Sequence, residues 1–172
     1  MKPYYEHAGI TIYHGDCREV LPTLPKVDLV LTDPPFSEKT HAGARSGDIR
    51  HQTKPIDFPS AEVEFIRKVF ELCAPSRWLI TFLDWHHALP LELDPPKGLE
   101  FIRLGVWLKE NPMPQMTGDR PATGWESLAL LHGSSSKHWN GGGSAAVWLC
   151  GTSRYGYFGP SFHPTAKPLT IG

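Results

Sequence analysis

The chain has 172 residues, 40% hydrophobic and 20% charged, which suits one globular domain with a sizeable core and excludes a disordered chain. Net charge is −1 with nine histidines, so there is no global basic field, and any nucleic-acid contact has to come from local patches. Cys17, Cys73 and Cys150 form no CxxC pair and no disulfide framework, and neither a signal core nor a run near the ~20 apolar residues of a membrane span occurs, so a cytoplasmic protein without a metal site or membrane partner is expected.

In chain order, "GITIYHGD" reads as a short strand, Ile10 to Tyr13, closing on the Gly15-Asp16 turn. "CREVLPTLP" has room for one or two helical turns before Pro25 stops it. "VDLVLT" is a continuous apolar strand of the kind buried on both faces of a parallel sheet. Residues 37–59 are polar and aperiodic and are expected to form a long loop. Ser60 is expected to cap a helix over "AEVEFIRKVFELC", with Glu62 and Glu64 in its first turn. Val63, Ile66, Phe70 and Cys73 give that helix one buried face. "RWLITFL" is the next strand and ends on Asp84; "EFIRLGVWLK" and "ESLALLH" are two more. From residue 133 to 160 the chain turns to Gly, Ser and aromatics, with one short strand at "AAVWL" between loops.

Strands alternating with helical segments make this an α/β sheet domain, a single unit over residues 1–172. Ligands collect beyond the carboxyl ends of the strands in such sheets. Asp16, Asp33 and Asp84 all fall at expected strand ends, which points to a site on one edge.

The chemistry concentrates in "TDPPF". Pro34 and Pro35 fix φ and donate no hydrogen bond, leaving nearby carbonyls as free acceptors. Asp33 adds an ionised acceptor and Phe36 a flat apolar face. The set suits a planar ring bearing an exocyclic NH2 group; taken alone, Asp-Pro-Pro is equally well a plain turn.

"TDPPF", preceded by "YHGDCREVLPTLPKVDLVL" and followed at a distance by "HPTAKPL", resembles the S-adenosylmethionine-dependent amino-methyltransferases of DNA, which act on adenine N6 or cytosine N4. The resemblance runs from Tyr5 to Leu169, in the order of the permuted class whose catalytic half precedes the main cofactor loop. It implies a Rossmann-like methyltransferase sheet and double-stranded DNA as partner. Asp33, Pro34, Pro35 and Phe36 match the catalytic motif that holds the extruded base, with Phe36 in place of the commoner tyrosine. Asp16 matches the acidic residue that approaches the adenosine of the cofactor, and Thr165, Lys167 and Pro168 lie in the motif near its methionine end. "VWLKENPMPQ" and "DRPATGWESLAL" resemble the segment that helps frame the base pocket. An aspartate opening the motif leans towards adenine N6, with cytosine N4 as the alternative. It also counts against a protein-glutamine enzyme, which generally opens it with Asn.

The implied mechanism is base flipping, at a cost of a few kcal/mol. Hydrogen bonds to Asp33 and the Pro34 carbonyl would then localise the amino lone pair, with the methyl roughly 3–3.5 Å away and in line. For DNA contact the candidates are Lys39, Arg45, Arg50 and Lys54 in the first loop, then Arg120, Lys137 and Arg154. Their alternative reading is a solvated loop of balanced charge. His86 and His87 are adjacent and, in a strand, would face opposite sides, so core or surface roles are expected rather than metal ligation. The six tryptophans are expected in the core, Trp139 excepted as a candidate stacking residue.

The family places a glycine-rich DPFxGSG loop after "HPTxKP", whereas this sequence reads "HPTAKPLTIG" to residue 172. The cofactor-binding part is therefore expected to be incomplete, S-adenosylmethionine binding weak or absent, and the strand ending at Thr32 open along an apolar edge. A fragment, a decayed prophage remnant acting at most as a DNA-binding or assembly module, and a half completed by a second copy or another chain all fit that pattern.

Overall fold

The structure, a computed structural model, describes residues 2–40, 60–112, 114–115, 118–151 and 167. Tyr5–His7 (β1) and Ile10–Ile12 (β2) pair antiparallel, with His7 opposite Ile10. Their two-residue turn takes positive φ at both Ala8 (49°) and Gly9 (80°), the twist that lets a tight hairpin close. The hairpin is a sheet of its own, and every residue of its two strands is exposed. This corrects the expectation that Asp16 ends a strand of the main sheet: three-residue strands bury no face and cannot extend it.

Asp16 instead caps a short helix, Cys17–Val20 (α1), accepting a hydrogen bond from the Arg18 N–H at 2.9 Å. A 3-10 turn over Leu21–Thr23 follows, and Pro25 marks the stop as expected.

Leu29–Thr32 (β3) lies parallel to Trp78–Leu83 (β4), with the helix Val63–Cys73 (α2) between them in the chain. After β4 comes a helix over Trp85–Leu93 (α3) that sequence patterning missed, since Pro90 lies inside it. Glu100–Lys109 (β5) and Trp125–His132 (β6) are antiparallel partners, and Val147–Cys150 (β7) runs parallel to β5. The main sheet has the order β3-β4-β6-β5-β7 and is mixed: its two flanking pairs are parallel and its centre is antiparallel. Gly105 lets β7 come close, because a Cβ there would sit 2.6 Å from the Trp148 ring.

Period-two alternation divides the core between the two faces of the sheet. Leu79 and Leu83 of β4, with Ala129 and Leu131 of β6, pack under Ile66 and Phe70 of α2 and Ala88 and Leu91 of α3. Phe82, Leu128 and Leu130 point the other way and meet Trp107, with Phe36 and Trp148 beside them.

Three further expectations are corrected. β3 is not buried on both faces: it is an edge strand, and Leu29 and Leu31 are 54% and 56% exposed because β4 is its one neighbour among the described residues. Among the described residues β3, the strand ending at Thr32, therefore has one unpaired edge. Ser60 is not the cap of α2, which begins at Val63 after Glu62. Its expected first residue, Ala61, has its backbone N–H and C=O committed to Phe36 and His87. Finally, Trp85 is 50% exposed rather than in the core, since it opens α3 on the solvent side and leans on Trp125, 6.1 Å between ring centroids.

Candidate functional site

The parallel pairing of β3 and β4 brings Asp33 and Asp84 to the same carboxyl-end edge: Thr32, the last residue of β3, lies opposite Thr81, and β4 ends soon after at Leu83. Asp33 is the first residue after β3. Phe36 folds back against the lower core beside Phe82, so its ring is part of the wall beneath the motif.

Lys167 lies in this place. Its ammonium is 2.8 Å from Glu126 Oε2 and 3.5 Å from Asp33 Oδ2. It also lies over two rings, 5.3 Å from the centroid of Phe36 and 4.9 Å from that of Phe82. Lys109 approaches the other oxygen of Glu126 at 2.8 Å and caps the face of Trp107. Glu126, Lys109 and Lys167 are each about a fifth exposed, so this is an inward-facing network rather than a surface pair.

The carboxyl groups respond in different directions. Burial pushes Asp33 above the ordinary carboxylate value; Lys167 opposes the rise and the charge of Glu126 adds to it. Burial alone would raise Glu126 as well, but Lys167 and Lys109 outweigh it and hold that carboxyl below its usual range. One acid is thus kept firmly ionised by two lysines, while its neighbour is poised higher.

Asp84 forms a second polar centre. Its Oδ2 accepts from the Ser37 N–H at 2.8 Å, the Ser37 hydroxyl at 2.6 Å and the Thr40 hydroxyl at 2.6 Å. Its Oδ1 accepts from the His87 N–H at 3.0 Å, which caps α3. Burial favours the neutral acid, yet these donors prevail and keep the carboxyl below the ordinary value. His87 is buried in α3 and donates from Nε2 to the Ala61 carbonyl at 2.8 Å. It therefore has the core role expected for one of the adjacent histidines, though on a helix and not on a strand.

Other sequence candidates fall elsewhere. Asp16 is exposed and held by Arg18 through three side-chain hydrogen bonds, which pull its carboxyl down to about 2. Lys137 pairs with Glu100 at 2.6 Å and Arg120 with Asp119 at 2.8 Å, while Lys39 is exposed in a short helical turn over 38–40. Trp139 is 38% exposed and meets Trp78 edge-on. Arg45, Arg50, Lys54, Arg154, Thr165 and Pro168 lie outside the described residues. Glu126, Lys109 and Phe82 belong to the site without having been singled out. Lys109 and Glu126 lie within the segments expected to frame the base pocket but carried no mark of their own, and Phe82 is one residue of the apolar run of β4.

No known protein-family profile matches the chain. Among curated proteins it is 45% identical over 38 residues to the type II methyltransferase M.ScaI of Streptomyces caespitosus; the match covers 21% of this chain and 12% of that protein. Among solved structures it is similar to M1.HpyAVI in complex with SAM, with a TM-score of 0.58 at 17% identity over 92% of this chain and 70% of the other. A second structure of M1.HpyAVI aligns with a TM-score of 0.50 at 16% identity, over 80% of this chain and 64% of that one. The match thus spans about an eighth of the curated relative and about two thirds of the structural neighbours. The mixed α/β fold built around β3 and β4 is the fold of these M1.HpyAVI structures.

Proposed function

We propose that the chain is the base-holding part of a DNA methyltransferase that acts on an exocyclic amino group, adenine N6 in preference to cytosine N4. The observation that carries this reading is the sheet-edge site itself. A carboxylate, two prolines and a ring leave the end of β3, with Lys167 folded back between Asp33 and the Phe36 face. The fold similarity to M1.HpyAVI and the short likeness to a type II methyltransferase support it.

In this reading an extruded base stacks on Phe36, and its amino hydrogens are accepted by Asp33 and the Pro34 carbonyl. Accepting both hydrogens draws the nitrogen towards tetrahedral geometry and localises its lone pair. Asp33, whose carboxyl burial raises above the ordinary value, is placed to take the proton that the amino group sheds once it has been methylated. Lys167 and Glu126 set that balance, the lysine keeping Asp33 from rising further.

The residues present suit a cationic methyl donor in one respect. The rings of Phe36 and Phe82, with Asp33 and Glu126, already stabilise a positive charge at the Lys167 ammonium. S-adenosylmethionine, when bound, supplies an electrophilic methyl on a sulfonium of the same charge. Asp16, Thr165, Lys167 and Pro168 are the residues we assign to its seat.

The test is transfer of labelled methyl from S-adenosylmethionine to unmethylated duplex DNA, followed by separation of the product nucleosides. Where transfer occurs, N6-methyladenine is the expected product, and Asp33→Ala abolishes it. N4-methylcytosine would move the assignment to the other base. Absence of any methylated nucleoside under single-turnover conditions would refute the catalytic reading of this chain and leave a DNA-binding module.

A further inference from the structure

We infer that Asp84 and His87 are positioning residues for the "DPPF" motif, locking both chain segments that flank residues 41–59 onto the start of α3. The inference rests on the base-holding role proposed for that motif and names what keeps it in place.

The geometry is a closed set of hydrogen bonds around one helix end. On the entry side, Ser37 contributes its N–H and its hydroxyl, and Thr40 its hydroxyl, all to Asp84 Oδ2. On the exit side, Ala61 donates its N–H to the Phe36 carbonyl at 3.2 Å. The Ala61 carbonyl in turn accepts from His87 Nε2 at 2.8 Å. Asp84 and His87 are joined through the His87 N–H on Asp84 Oδ1. Residues 37, 40 and 61 thus meet on two side chains three positions apart, and residue 36 is joined to them through the Ala61 N–H.

A helix cap needs one acceptor for one N–H. Asp84 does that with Oδ1, and its second oxygen is entirely occupied by residues 44 and 47 positions away. Three donors on one buried carboxylate oxygen exceed what capping requires, and two of them belong to the residue directly after Phe36. The strand end alone cannot orient Phe36, because β3 is an edge strand and the motif contains two residues without an N–H. Aiming the ring therefore falls to the residues on either side of it: Ser37 through Asp84, and the Phe36 carbonyl through Ala61 and His87.

The test uses the full 172-residue chain and two variants. Asp84→Ala removes the acceptor; Ser37→Ala combined with Thr40→Val removes the two hydroxyl donors and leaves the cap of α3 intact. Residue-resolved amide hydrogen exchange is read at Ser37 and Ala61, with Thr81 and Ala129 in the sheet as internal controls. Asp84→Ala is expected to lower protection at Ser37 and Ala61 by about tenfold or more, with the sheet amides unchanged. The double variant is expected to lower it by a smaller factor at the same two amides. Unchanged protection at Ser37 and Ala61 in both variants would overturn the inference. So would a loss shared equally by the sheet amides in both, which would mean a general structural role.

A second arm reads the motif. Each protein is added to a duplex carrying 2-aminopurine at scanned positions, and the fluorescence of an unstacked base is compared with duplex affinity. Lower fluorescence at unchanged affinity in the variants supports positioning, and equal fluorescence with lost protection overturns it. If wild type gives no signal at any position, the base-holding reading fails, whereas hydrogen exchange still decides whether Asp84 locks the flanks.

Discussion

Asp33 stands between opposing influences, and the difference between them is open to measurement. Burial raises its carboxyl while the Lys167 ammonium at 3.5 Å lowers it. Lys167→Met removes the lowering influence and leaves Glu126, so the Asp33 carboxyl must titrate at higher pH than in the wild type. Carboxyl-carbon NMR of the two proteins checks this, and a shift to lower pH would show that Lys167 does not face Asp33. Phe36 has a different part in the proposed reading, since its ring packs beside Phe82 and offers a stacking face to a base. Phe36→Ala should weaken capture of a flipped base by roughly 1–3 kcal/mol, and Phe36→Tyr should be tolerated. Comparative titration of a 2-aminopurine duplex with the two variants measures that loss. The motif was legible residue by residue because its chemistry is local: a carboxylate, two rigid φ angles and a ring are properties of Asp33, Pro34, Pro35 and Phe36 wherever they lie. Glu126 was not legible, because what makes it matter is two lysines distant in sequence.

At the scale of elements, β5 and β6 deliver Lys109 and Glu126 to the site as neighbours at one end of an antiparallel pair. A charged residue at the head of an apolar strand is tolerated there because both of its oxygens are neutralised. Glu126→Gln leaves two partly buried lysines sharing an uncharged amide and should cost about 2 kcal/mol of stability, measured by urea unfolding at neutral pH. The pH dependence has a definite sign. The folded Glu126 carboxyl lies below its ordinary 4.5, so its contribution is complete above that value and is lost as pH falls through the lowered one. The wild type should thus lose more stability than Glu126→Gln between neutral pH and the acid range; equal losses would place the lysines elsewhere. Helix α2 illustrates how tertiary contacts override a local signal. Ser60 is a good N-cap residue by type, yet the helix begins later because the Ala61 backbone is held by Phe36 and His87.

For the molecule as a whole, both flanking strands of the sheet leave apolar side chains in water. Leu29 and Leu31 on β3 and Val147 and Leu149 on β7 are each more than half exposed. An edge strand with an apolar face invites pairing with another chain. Sedimentation velocity over a concentration series should show association of the wild type that Leu29→Lys with Leu31→Lys reduces, with little change in melting temperature because neither residue is in the core. Association undiminished in the double variant would move the contact away from β3. Among the described residues no helix is long and apolar enough to cross a membrane, so this exposed surface is not part of a membrane-spanning helix.

The short apolar runs along 78–83 and 126–131 and the helical spacing of Ile66 and Phe70 were enough to foresee these strands, the main helix and the α/β class, because run length and burial periodicity follow from backbone geometry. The place of "DPPF" at a strand end was equally plain. Strand order, the separate hairpin before Asp16 and the late start of α2 were decided by long-range pairing, which leaves no local mark on the residues that take part. The same holds for the site's polar contacts: Ser37 and Thr40 reach Asp84, 47 and 44 positions on, because β3 and β4 are adjacent in the sheet, and Lys109 reaches Glu126 because β5 and β6 are. Adjacency of that kind is a property of the packed chain.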